Sequence, residues 1–169
     1  MDTLECIATR RSIRKYTGED VSPELVDKLL KAAMSAPSAG DARPWEFVVV
    51  REKERLERVQ EFNPYAAMAP KAAVGILVCG NLAREKFPGF WGQDCSAAVE
   101  NLLLAANALG LGAVWTGIYP LEDRVERCRT VFGLPDNVLP LAFVPLGWPA
   151  QERKEINRFD SGRIHCESW

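Results

Sequence analysis

The stretch SAPSAGDARPWEFVVVR, Ser35 to Arg51, changes character at Pro44. Its first half consists of small residues, Gly40 and prolines, a composition that reads as a loop. Its second half is an apolar, β-branched run, which reads as a buried strand at the centre of a sheet. A loop feeding a central strand is a common place for a ligand, so this junction is the first candidate for function. Upstream, Ser22-Pro23-Glu24 supplies an N-cap followed by proline at the first helical position. Leu25, Val26, Leu29, Leu30 and Ala33 then trace one apolar helix face to about Ser35.

Downstream, Glu52 to Gln60 reads as a charged surface helix and AAVGILVCG, Ala72 to Gly80, as a second apolar strand. Gln93 to Leu109 is rich in Ala and Leu, so a largely buried helix is expected, ended by the Gly110-Leu111-Gly112 turn. AVWTG reads as a short strand, Leu121 to Phe132 as an amphipathic helix closed by Gly133, and NVLPLAFVPLG as the last core strand. Pro140 and Pro145 predict bends or an exposed edge in that strand, because proline donates no ladder bond. At the other end, Asp2 or Thr3 can cap a short helix to Thr9 that would bury Leu4, Ile7 and Ala8. The segment from Trp148 to Trp169 is polar and aperiodic, yet it carries Ile156, Phe159, Ile164 and Trp169, which a disordered tail seldom includes. Either the chain's own core or a second subunit must bury them.

The chain's 169 residues, 47% of them hydrophobic, suit one domain with a sizeable core. With 21 Lys and Arg against 23 Asp and Glu, and a pI of about 5.6, the charge balance argues against a nucleic-acid partner. The N-terminus lacks a secretory pattern and no apolar run nears the roughly 20 residues of a membrane span, so a soluble, cytoplasmic protein is expected. Cys6, Cys79, Cys95, Cys128 and Cys166 are scattered without a C-x-x-C pair, and His165 is the one histidine. Neither a disulfide scaffold nor a metal site is expected. His165 and Cys166 are chain neighbours, which in an extended segment face opposite ways, so they do not read as a nucleophile and its base. Any chemistry therefore points to a cofactor.

Against the chain's net charge of -2, TRRSIRKY, Thr9 to Tyr16, gathers Arg10, Arg11, Arg14 and Lys15 within six positions. Such a cluster is commonly a solvated face; a compact anion site is the competing reading, favoured here by the overall acidity.

Three ordered segments resemble the FMN-dependent nitroreductases, and the resemblance spans essentially the whole chain. RRSIRKY is similar to that family's N-terminal phosphate motif and APSAGDARPWEFVVV to its loop-plus-strand motif. NALGLGAVWTGIYP, VPLGWPA and NRFD are similar, in order and spacing, to its C-terminal half. The resemblance implies an α+β fold, with a mixed β-sheet flanked by helices. It also implies an intertwined homodimer in which residues 148–169 form an extended arm reaching the partner, and FMN bound at the subunit interface. Residues 1–169 would then be a single FMN-binding domain.

By the same resemblance Arg10 and Ser12 hold the FMN phosphate, Arg11 lies on the ribityl-phosphate side, Arg14 reaches the pyrimidine end of the ring, and Arg158 is a second phosphate arginine. A dianion needs several charge-assisted donors to offset its desolvation, and arginine forks provide them. Pro37, Ser38 and Ala39 match the loop along the flavin, often given by the other subunit. Trp115, Thr116 and Gly117 match the segment whose backbone N–H groups face flavin N5 and O4. Asp41 and Arg43 stand where the family commonly has Asn and Gln. An ionised Asp41 could accept from flavin N3–H but could not donate to a carbonyl. Arg43 could add positive charge near N1 and O2, or simply pair with Asp41.

The expected activity is ping-pong transfer from NADH or NADPH to FMN and on to a small electron acceptor: a nitroaromatic, a quinone or an activated alkene. No essential side-chain acid or base is expected; Arg14 and Thr116 support the chemistry. Phe87, Phe90 and Trp91 are candidates to shape the acceptor pocket. A specialised enzyme of the same fold, reductive dehalogenase-like or flavin-consuming, and a non-catalytic flavin or nucleotide sensor are the alternatives.

Overall fold

The computed structural model describes residues 1–152 and 156–169. Helices α1 (Thr3–Thr9) and α2 (Pro23–Met34) precede strand β1 (Trp45–Val50), helix α3 (Lys53–Arg58) and strand β2 (Val74–Asn81). Helix α4 (Trp91–Ala108), strands β3 (Gly112–Ala113) and β4 (Thr116–Gly117), helix α5 (Glu122–Phe132) and strand β5 (Val138–Gly147) follow. The sheet runs β1-β2-β5-β3, with β4 also on β5, and every one of these pairings is antiparallel. The expected mixed sheet is thus corrected to an antiparallel one. Among the described residues, parallel pairing is confined to the isolated bridge between Ser12 and Ala113.

The period-two alternation of the strands places a core on each face of the sheet. Val74, Ile76 and Val78 of β2, with Ala142, Val144 and Leu146 of β5, meet Val26, Leu29 and Ala33 of α2 and the apolar side of α4. Leu77, Cys79 and Phe143 look the other way, onto Leu56 of α3 and Cys128 and Val131 of α5. Ser22 caps α2 through its hydroxyl, accepting from the Leu25 N–H, and Gly133 ends α5 at φ 63°, a left-handed position that suits glycine.

Three expectations are corrected. β1 is an edge strand, with Val49 40% exposed; helices against its two faces, rather than two strand neighbours, account for its apolar run. β5, expected to bend or lie at an edge, is central. Pro140 sits where the β2 register shifts between Val78 and Cys79. Pro145 lies opposite Val114, in the gap that separates β3 from β4 in one continuous register; its missing N–H falls where the ladder is interrupted. In α1, a capping box joins Asp2 and Glu5, but Leu4, Ile7 and Ala8 are exposed and Cys6 is buried instead. The reason is the docking contact on α4: Asn107 Nδ2 donates to the Cys6 carbonyl and to Thr9 Oγ1, both at 3.0 Å.

Ile156, Phe159, Ile164 and Trp169 are all exposed, Trp169 completely, so the chain's own core does not cover them. No helix among the described residues is long and apolar enough to cross a membrane.

Candidate functional site

The backbone leaves the helix at Arg10, with ψ 129°, and runs across the end of β3. Ile13 donates its N–H to the Ala113 carbonyl at 3.0 Å and is buried, while its neighbours Ser12 and Arg14 are exposed. The tail then returns alongside. Thr17 donates to the Trp148 carbonyl and Ala150 to that of Lys15, both at 2.9 Å. Gln151 Oε1 accepts from the N–H groups of Arg14 at 2.9 Å and Lys15 at 3.0 Å. The result is a cleft of about 400 Å³ lined by Arg11, Ser12, Arg14, Gln151, Glu152, Ile156 and Arg158.

Four of the sequence-predicted residues therefore converge. The Arg11 guanidinium donates to the carbonyls of Ala8, Arg10 and Ile156, fastening the end of α1 to the tail. Below, burial pushes the Tyr16 hydroxyl pKa up, with the Arg14 charge acting in the opposite direction. Arg10 is not in the lining; its Nε lies 3.3 Å from Glu100 Oε1. In charge and hydrogen-bonding capacity the cleft suits a phosphate: guanidinium groups and a hydroxyl surround it, with Glu152 the one acid in its lining among the described residues.

Ser12 bridges to Ala113, the last residue of β3, so this cleft is tied to the stretch of chain that leads into Trp115–Gly117. The Thr116 hydroxyl donates to the Phe143 carbonyl at 2.6 Å, so its side chain is engaged within the sheet and any outward role falls to backbone. A Cβ added at Gly117 would meet no atom within 4 Å, which leaves room for a ligand to approach the backbone. The Gly117 carbonyl accepts from Asn63 Nδ2 at 3.1 Å and from the Arg124 guanidinium at 3.0 Å.

The loop residues form a second group, at the N-terminal end of α4. Ala39 donates its N–H to Asp94 Oδ1 at 3.0 Å, Arg43 N–H to Ser38 Oγ at 3.0 Å, and Lys86 Nζ to the Gly40 carbonyl at 2.6 Å. Gly40, Asp41 and Arg43 all have positive φ, 59°, 56° and 49°, a strained backbone for the two non-glycine residues. Of the two readings open for Arg43, the structure has it paired with Asp41, Nε to Oδ1 at 2.6 Å and a second contact to Oδ2. Each perturbs the other: the Asp41 carboxyl is lowered, chiefly by the Arg43 hydrogen bond, and the Arg43 guanidinium raised. Pro37 is exposed, and none of residues 37–43 lines the arginine cleft. Phe87 and Phe90 are exposed and edge-to-face, whereas Trp91 is buried and meets Tyr119 edge-to-face at 4.8 Å.

Sequence reasoning missed Gln151, Asp94, Asn63 and Arg124. Asp94, a buried acid in the first turn of a mostly apolar helix, and Asn63 before Pro64 were the available signals.

The fold and cleft together define an α+β protein with an arginine-lined cleft whose chemistry suits a phosphate. The chain belongs to the Nitroreductase family, whose profile matches residues 7–78 and 64–148. It is 57% identical over 169 residues to a relative from Methanothermobacter thermautotrophicus provisionally named NADH dehydrogenase/NAD(P)H nitroreductase, covering 100% of this chain and 88% of the relative. An FMN-dependent nitroreductase of Clostridium difficile superposes with a TM-score of 0.91 at 27% identity, over 98% of this chain and 99% of that one. A Desulfovibrio desulfuricans structure, provisionally termed a nitroreductase and solved in complex with FMN, gives 0.85 at 32%, over 100% and 98%.

Proposed function

We propose that this protein is an FMN-dependent NAD(P)H oxidoreductase that acts as a homodimer in the cytoplasm. The observation that carries the reading is the convergence of Arg11, Ser12, Arg14 and Arg158 on one cleft tied by the Ser12–Ala113 bridge to Trp115–Gly117. When bound, FMN supplies two-electron chemistry, taking a hydride from NAD(P)H and passing reducing equivalents to an acceptor. Ser12, Arg14 and Arg158 would hold the phosphate; Arg14, expected at the pyrimidine end of the ring, is assigned here because it lines the same cleft as the other two. Arg11 would hold α1 and the tail around it. Arg10 joins them only by exchanging Glu100 for phosphate. Gly117 would offer a backbone N–H to the ring, where a fixed donor stabilises developing charge without reorganisation; the Thr116 N–H, in step with those of Val114 and Ile118, faces β5.

Pro37, Ser38, Ala39, Asp41 and Arg43 approach the ring from the partner subunit, because they line no part of their own chain's arginine cleft. Residues 1–169 form one FMN-binding domain, with 148–169 as an arm over the partner. No side-chain acid or base is needed: His165, stacked on Trp169 at 4.2 Å, belongs to that arm. NAD(P)H and the acceptor take turns in one position, a ping-pong order. The exposed rings of Phe87 and Phe90 favour a flat acceptor such as a nitroaromatic or quinone over an activated alkene.

The test is anaerobic titration of the purified protein with NADH or NADPH, followed by the acceptors. A yellow protein that bleaches and regains colour with an acceptor is the expected result. A colourless protein that takes up no added FMN overturns the reading; a yellow one inert to both nucleotides reduces it to a flavin carrier or sensor.

A further inference from the structure

Gly117 poses a mechanical problem. It lies four residues along the chain from Ala113, on which cleft residue Ser12 bridges, has no neighbour within 4 Å of where a Cβ would be, and has no side chain of its own to hold its dihedral angles. A backbone donor there would be poorly fixed without outside support. The support is at the carbonyl of the same residue. Asn63, 0% exposed, donates to the Gly117 carbonyl through Nδ2 while its Oδ1 accepts from the Tyr65 N–H at 3.1 Å. Arg124, in the first turn of α5, donates to the same carbonyl, and its guanidinium lies 5.2 Å from the centre of the Tyr65 ring. Asn63, Tyr65, Arg124 and Gly117 thus form a closed ring of contacts. Among the described residues Arg124 has no carboxylate at ion-pair distance. Asp123 beside it is held by Arg127 at 2.9 Å. The Arg124 charge is therefore directed at the Gly117 peptide.

We infer that Arg124 and Asn63 are positioning residues that lock Gly117 and set the redox balance of the flavin bound against it. The inference rests on the FMN reading above. A hydride adds one negative charge to the ring system. A cation fixed behind the adjoining peptide stabilises that charged state more than the neutral one, so it raises the potential. Arg124 is half-buried on α5 and belongs to neither core. Tyr65 is 71% exposed and likewise belongs to neither.

The experiment compares Arg124→Met, Arg124→Lys and Tyr65→Leu with the wild type by three measurements. These are FMN dissociation followed by fluorescence, the midpoint potential of bound FMN, and amide hydrogen exchange of the 115–119 peptide in the FMN-free protein. Arg124→Met is expected to bind oxidised FMN within about threefold of normal and reduced FMN about tenfold more weakly. That ratio is a midpoint about 30 mV more negative for a two-electron couple. Exchange at 115–119 should rise severalfold. Arg124→Lys should restore most of the potential and less of the protection, since lysine keeps the charge but not the fork. Tyr65→Leu should shift both in the direction of Arg124→Met by a smaller amount, and it decides the matter if Arg124→Met fails to retain FMN. An unchanged potential in a flavin-loaded Arg124→Met, or in Tyr65→Leu in that event, overturns the inference. A wild type that binds no FMN overturns the parent reading instead, and the exchange data then still report whether the lock exists.

Discussion

Replacing Gly112 by Ala tests how the phosphate segment is seated. A Cβ at Gly112 would stand 2.4 Å from Ile13 Cγ2 and 2.7 Å from Ile13 Cβ, where ordinary carbon contacts are about 3.5 to 4 Å. The gap must open by about 1 Å. The Ile13 side chain cannot yield alone, because its own Cβ is in the clash, it is 1% exposed, and its N–H is bound to Ala113. The movement must therefore pass into the backbone of Ser12 and Arg14. Overpacking of this kind costs about 1 to 3 kcal/mol, or about 3 to 10 °C of melting temperature for a chain this long. The same displacement lengthens the bonds that Ser12 and Arg14 offer a phosphate. Losing one charge-assisted bond, about 1.5 to 3 kcal/mol, weakens FMN by about ten- to a hundredfold. Differential scanning calorimetry of the FMN-free protein and fluorescence titration with FMN measure the two effects. Gly117→Ala is the control: with open space around its Cβ it should leave the FMN-free melting temperature within about 1 °C, as a neutral substitution does, while still weakening FMN. A Gly112→Ala protein with unchanged melting and unchanged FMN affinity would refute the claim that Ile13 carries the segment.

Arg14→Met should weaken FMN about tenfold, the lower end for a charged hydrogen bond because Arg14 is exposed, and leave riboflavin within about twofold; equal losses for both ligands would remove Arg14 from the phosphate. Deleting residues 159–169 should release flavin and dissociate the dimer together in sedimentation runs, since Phe159, Ile164 and Trp169 find no cover on their own chain; a truncated protein that remains dimeric and yellow defeats the arm. Burial pushes the Cys79 and Cys95 thiols up to about 12, above their unfolded value of 9.0. The folded state therefore holds protons that the unfolded state loses above pH 9, and stability should be intact below 9 and fall toward 12. The slope is about 1.4 kcal/mol per pH unit per thiol, readable by urea unfolding at stepped alkaline pH; a flat profile would contradict it.

The parts legible from sequence were those that local chemistry decides. Ser22 before Pro23 fixed the start of α2, and the fivefold apolar pattern from Leu25 to Ala33 fixed its buried side. The Ala-rich run became α4, and Gly133 ended α5 in a left-handed position that its lack of a Cβ allows. The rest depended on partners far along the chain. An apolar run such as WEFVVV reads the same whether strands or helices cover it, so β1 was placed at the centre although it lies at the edge. Pro140 and Pro145 argued for an edge, but a bulge and a broken ladder accommodate both in the middle of the sheet. Gln151, which orders Arg14 and Lys15, had no local signal, because its role exists only where the tail meets residues 14–15.

The exposed apolar surface of this chain is organised, not scattered, and that organisation bears on where a flavin could sit. Ile7 of α1 joins Leu104, Ala105 and Ala108 of α4 in an apolar groove of about 350 Å³. A second groove of about 350 Å³ follows Val48 to Arg51, beside the sheet edge formed by β1. The tail meanwhile projects Ile156, Phe159, Ile164 and Trp169 into solvent. Under the homodimer reading proposed above, the side chains that project without cover on one chain would fill the grooves of its copy. The predicted flavin residues divide in the same way, with the arginines in one cleft and residues 37–43 gathered at the start of α4 through Asp94 and Lys86. On the proposed homodimer, a cofactor that needs both groups would lie at the junction of two chains, with the arm over the partner carrying Arg158 toward the phosphate. Flavin retention and association are then a single equilibrium, each stabilising the other by mass action.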